Sequence, residues 1–120
     1  MIALLLAAGL AFHPIQIGAM AAETPGHWRK MRTHIEVEGW VTYVATEDDG
    51  DHHIRICDDP KVQGVNLKRC VVAEIIPALP LPVPKAGDHV RVQGISRFDA
   101  ELPGHNWWEV HPVLHIETLP

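Results

Sequence analysis

The stretch His105-Asn106-Trp107-Trp108-Glu109-Val110-His111-Pro112-Val113-Leu114-His115-Ile116-Glu117 decides how this chain folds. Trp108, Val110, Leu114 and Ile116 fall on one side of a two-residue alternation, and Trp107, Glu109, His111, His115 and Glu117 on the other. Period two is the signature of a strand with one face in a core. The polar row is uncommon for a plain solvent face, which would draw on Lys, Thr and Ser. Two carboxylates and two imidazoles, with His105 just before them, make this strand either a binding surface or a polar edge.

Working outward from it, the remaining chain also reads as strands separated by turn signals. In residues 34–46, Ile35, Val37, Val41 and Tyr43 alternate with His34, Glu36, Glu38 and Thr42, and Gly39 interrupts the middle as strand glycines do at bulges and tight coils. Glu47-Asp48-Asp49-Gly50-Asp51 is an acidic hairpin turn, and residues 52–57 return with Ile54 and Ile56 inward and His53 and Arg55 outward. Residues 70–76 are a buried strand rich in Val and Ile, with Glu74 its one charge. Residues 77–84 carry four prolines and cannot be helical, so they form an extended connection. A Lys85-Ala86-Gly87-Asp88 turn leads into a fourth strand over residues 89–96. The fold class expected is all-β: a small five-stranded barrel.

Three motifs carry a resemblance: Asp49-Gly50-Asp51-His52-His53-Ile54, then Gly87-Asp88-His89-Val90-Arg91-Val92-Gln93-Gly94, then Trp108-Glu109-Val110-His111-Pro112-Val113. Over residues 36–117 the chain resembles an OB-fold domain of the nucleic-acid-binding type, and is similar to small uncharacterised exported bacterial OB domains that end in a W-E-x-H-P strand. The resemblance implies an OB-like barrel that binds a ligand on the outer face of its middle strands, and single-stranded nucleic acid as the family-level partner. The sequence departs from that pattern where OB domains carry a helix between strands three and four. Here the proline-rich segment takes its place, so Leu79, Leu81 and Val83 are expected to close the barrel base.

Composition bounds the rest. One hundred and twenty residues make one domain, and a net charge of −5 lacks the basic footprint of a nucleic-acid binder. Residues 1–22 contain no Asp, Glu, Lys or Arg; an apolar run over residues 2–12 is followed by the A-x-A-like Ala19-Met20-Ala21. This reads as a signal peptide or N-terminal apolar segment, without the basic residues that ordinarily precede one. Residues 23–33 are then a polar lead-in with a basic cluster at Arg29, Lys30 and Arg32, and residues 34–118 the barrel domain. The expected location is periplasmic or secreted, with no stable membrane span once the segment is cleaved. Cys57 and Cys70 are the only cysteines, and in an oxidising compartment an even count points to a disulfide; buried free thiols are the alternative. No catalytic Ser-His-Asp order, Walker loop or dinucleotide fingerprint is present, and no catalysis is expected.

Three uses of the polar residues compete. A binding module would employ Trp40, His53, Arg55, Arg91, Arg97, Trp107, Glu109 and His111, with Phe98 as a further aromatic, to hold single-stranded nucleic acid, an envelope polymer or a protein. A divalent-metal site, zinc or another ion with a hydrolytic role open to it, would draw on His53, His105, Glu109 and His111 with Asp51 or Asp58; otherwise no cofactor is called for. A structural envelope domain would use the same residues to lock strand register, His111 to Asp51 and Glu109 to Arg55 or Arg91.

Overall fold

The structure is a computed structural model that describes residues 11–23, 33–64, 68–100 and 107–120. Five strands form the barrel: β2 (His34–Thr46), β3 (His52–Cys57), β4 (Cys70–Ile75), β5 (His89–Asp99) and β6 (Trp107–Thr118). A two-residue strand β1 (His13–Pro14) and a short helix α1 (Ile17–Ala21) precede them. The sheet order is β1-β2-β3-β4-β6-β5, and β2 also pairs with β5, which closes the barrel. The all-β, OB-like architecture read from the alternation is therefore present.

Long β2 serves both neighbours, its first half pairing with β5 and its second half with β3. Gly39 lies where the two halves overlap. A Cβ there would run into Ile17 Cδ1 and lie 2.6 Å from the Cys57 carbonyl oxygen, so the coil is possible only for glycine. Beyond it the β2–β3 register shifts between Val41 and Tyr43. One such slip moves the following side chains to the opposite face. Tyr43, expected inward, is 53% exposed, while Val44 packs against the core in its stead. The same correction applies to β6. Irregular pairing of β5 with β6 around Gly94 puts Val113 in the core and leaves Leu114 only half-buried, so the alternation holds through Val110 and then breaks.

The core is Ile35, Val37, Val41, Ile54, Ile56, Val71, Ala73, Ile75, Val90, Val92, Trp108, Val110, Val113 and Ile116, joined by Ile17 and Met20 from α1. Those last two replace the expected proline-segment plug. Leu79 and Val83 are 40% and 41% exposed, and only Leu81 of the three packs on the core. The extended connection ends in a turn with Gly87 at φ 98°, whose N–H donates to the Val41 carbonyl. Strand β5 runs three residues further than read from its apolar pattern, since Arg97, Phe98 and Asp99 continue the ladder to β6.

Cys57 and Cys70 face each other across β3 and β4 and are disulfide-bonded, with Cα atoms 4.1 Å apart. The bond closes a loop of about 14 residues, for which the chain-entropy estimate is about 3 kcal/mol. Replacing both cysteines by alanine is expected to lower the melting temperature by roughly 10 °C or more. A thermal melt of the double variant checks this, and an unchanged midpoint would remove the bond from the account of stability.

Candidate functional site

The outward faces of β3, β4 and β6 carry two rows of side chains. Register places Tyr43, Arg55, Val72, Glu109 and Arg97 in one row across five strands. The adjacent row holds Ala45, His53 and Glu74, with His111 two residues beyond Glu109 on β6. The β2–β3 hairpin adds Asp51 and Glu47 at the rim.

Glu74 is the hub. His53 Nε2 lies 2.9 Å from its Oε1 and His111 Nε2 lies 3.4 Å from the same atom. The other ring nitrogen of His53 reaches Glu47 at 3.2 Å, and His111 Nε2 is 3.7 Å from Asp51. On its far side Glu74 is hydrogen-bonded to Glu109, a fully buried carboxyl that also accepts from Trp107 Nε1 at 2.8 Å and lies 3.3 Å from Arg97. Asp51, Glu74 and His111 each offer a ligand atom within 4.8 Å of the others, which is a spacing a single divalent ion can bridge.

Two carboxyls in contact inside a barrel wall cannot both ionise cheaply. Burial, and the hydrogen bond to Glu74, push Glu109 up to about 8, so it keeps its proton and donates it to Glu74. The hydrogen bond that Glu109 accepts from Trp107 Nε1 opposes this without outweighing it. Burial also pushes Glu74 upward, but the hydrogen bonds from His53 and Glu109 and the nearby imidazoles outweigh it and hold the group down at about 2. The hydrogen bond to Glu74 raises His53 against the opposing cost of burial. Asp51 is raised, chiefly by burial and then by Asp49 and Glu74.

The structure places His53, Glu109, His111, Trp107, Arg97 and Arg55 on one face of the barrel. It separates Trp40 and Arg91 from them. Trp40 stacks on His89 at 4.2 Å, and Arg91 pairs with Glu38 and Glu117 on the β2–β5–β6 wall. Glu109 pairs with Arg97 and not with Arg55 or Arg91. Of the two aspartates offered as ligands, Asp51 joins the cluster, whereas Asp58 pairs with Arg69. Phe98 packs edge-on against buried Trp108. His105 lies outside the described residues, as do residues 1–10 and the basic cluster at Arg29, Lys30 and Arg32. The sequence reading missed Glu74 as a site residue; its signal was a lone charge in an otherwise apolar strand.

The signs of these shifts give a pH dependence. Glu109 holds its proton more tightly folded than unfolded, so its contribution is lost as pH rises from about 4.5 through about 8. Raised His53 acts in the same direction above its ordinary value, and depressed Glu74 withdraws stability as pH falls below about 4.5. Glu109→Gln mimics the protonated acid. It is expected to melt higher than the parent at pH 8 by several degrees, with the gap closing towards pH 5, in melts run across that range.

No protein-family model and no curated protein sequence matches the chain. Among solved structures it is similar to an OBody bound to hen egg-white lysozyme, with a TM-score of 0.58 at 15% identity over 83% of this chain and 91% of that one. The likeness is one of fold: the chain is a small, closed OB-like barrel.

Proposed function

We propose that this chain is a non-catalytic binding module that presents the outward face of β3, β4 and β6 to a partner. The observation that carries this reading is the His53–Glu74–Glu109–His111 network on that face, flanked by Tyr43 and Arg55. OB barrels take their ligands along the corresponding strands and the adjoining loops. Arg55 lies over the Tyr43 ring at 4.9 Å and leaves the tyrosine more than half exposed, an amphipathic platform beside the polar cluster. Charge narrows the ligand class. Glu47, Asp48, Asp49, Asp51 and ionised Glu74 outnumber Arg55 and Arg97 here, so a polyanion such as single-stranded nucleic acid is repelled, and a ligand bearing cationic or hydrogen-bond-donating groups is favoured. Export is part of the proposal: the disulfide suits an oxidising compartment, and no helix among the described residues is long and apolar enough to cross a membrane.

A second reading is favoured by one specific observation, the convergence of Asp51, Glu74 and His111. Imidazole and carboxylates suit zinc and related divalent ions, and a bound ion would displace His111 from its ion pairs and take over the neutralisation of Glu74.

Thermal melts and fluorescence titration separate these. With a decalysine peptide at low salt, a rise in melting temperature is expected that Tyr43→Ala weakens by roughly 5–10-fold in affinity while leaving the unliganded melt nearly unchanged. A salt-sensitive response to a deoxythymidine 15-mer and none to the peptide would overturn the charge argument and return nucleic acid as the partner. A rise with zinc that EDTA reverses and Asp51→Asn removes would establish the metal reading. No response to any of the three would leave the network a latch between strands.

A further inference from the structure

We propose that residues 13–22 belong to the folded domain as a strap that stoppers the barrel, so that any processing of the N-terminus falls before His13 and not at Ala19-Met20-Ala21. Composition places this segment inside an apolar leader, and the fold places it in the core.

The strap engages the barrel at two points, and the residue that follows it at a third. Its first residues run parallel to the start of β2, His13 opposite Ile35 and Pro14 opposite Glu36, and the Ile15 N–H donates to the Glu36 carbonyl at 2.9 Å. Helix α1 then packs on β2, β4 and β6. Ile17 is 2% exposed and Met20 is fully buried. Finally, the indole N–H of Trp108, itself buried, donates to the Glu23 carbonyl at 3.1 Å, directly after the strap.

Three physical arguments make this a docked part of the fold. A helix of five residues has no stability of its own, so its conformation derives from the surface it covers. The proline-rich connection contributes only Leu81 to the core, with Leu79 and Val83 largely exposed, and Ile17 and Met20 are the apolar side chains added there in their stead. Gly39 leaves room for Ile17 Cδ1 at the middle of a strand where glycine is otherwise unfavourable. Chain scission after Ala21 would withdraw both apolar side chains and create a charged amino group beside the socket they leave. Scission before His13 would disturb none of these contacts.

The test uses the full chain, expressed in a bacterial host with an intact export pathway. Intact-mass measurement of the accumulated soluble protein is expected to show that residues 13–22 are retained. Met20→Ala is expected to lower the melting temperature by roughly 10 °C, as a large-to-small change at a filled core position does, while Ala19→Lys on the exposed side of the same helix leaves it unchanged. Accumulated protein that begins at Ala22 or Glu23 would overturn the proposal. So would a Met20→Ala melt indistinguishable from that of Ala19→Lys.

Discussion

The barrel depends on a short seam. Strands β4 and β6 run parallel and pair only through Val72 with Glu109 and Ala73 with Val110, whereas every other junction in the barrel is a longer antiparallel ladder. Parallel pairing is slightly less stable per residue, and two rungs supply little register. The side chains that reinforce the seam stand on both sides of it: Glu74 on β4, Glu109 and His111 on β6. Their hydrogen bonding lies almost wholly out of water, where an unmet donor or acceptor is expensive and a satisfied one is specific. One shared proton between Glu74 and Glu109 therefore has a structural role out of proportion to its size. It turns what would be repulsion across the weakest junction into attraction.

Much of this was legible in the residues, and the failures have identifiable causes. Alternation and, for residues 70–76, a continuous apolar run located the barrel strands, the Asp49-Gly50 turn located the first hairpin, and the two cysteines announced a bond that their cross-strand positions allow. What period-two reasoning could not see is a change of phase within a strand. Period two carried through a register shift puts Tyr43 and Leu114 in the core, and such shifts depend on how two strands coil against each other. Glu109 shows the complementary failure. It lies on the outward side as alternation requires, yet it is completely buried, because Trp107, Arg97 and Glu74 from three strands cover it. Outward and exposed are different properties, and only the first has a period.

The site was half legible for a related reason. Chemistry-bearing residues on β6 are contiguous in sequence and stood out together. Glu74 is a single charge in a strand otherwise made of apolar residues and lies far from them in the chain, so nothing local identified it as their hub. The basic candidates divided by wall: Arg55 and Arg97 face the cluster, while Arg91 is consumed by Glu38 and Glu117 in a charge ladder on another side. Composition alone cannot make that division, since all three arginines sit on strands in similar surroundings of acidic residues.

In the proposed reading the seam and the ligand face coincide, and this constrains how the barrel would work. Hydrogen bonds already satisfied within the network are not available to a ligand at no cost, so a partner that contacts His53 or His111 must replace the interactions with Glu74 that it breaks. That requirement disfavours neutral ligands of modest polarity and favours a cation, whether an ammonium, a guanidinium or a metal ion, because only positive charge compensates Glu74 as the imidazoles do. Loss of the His53 proton removes part of the internal compensation of Glu74, 2.9 Å away.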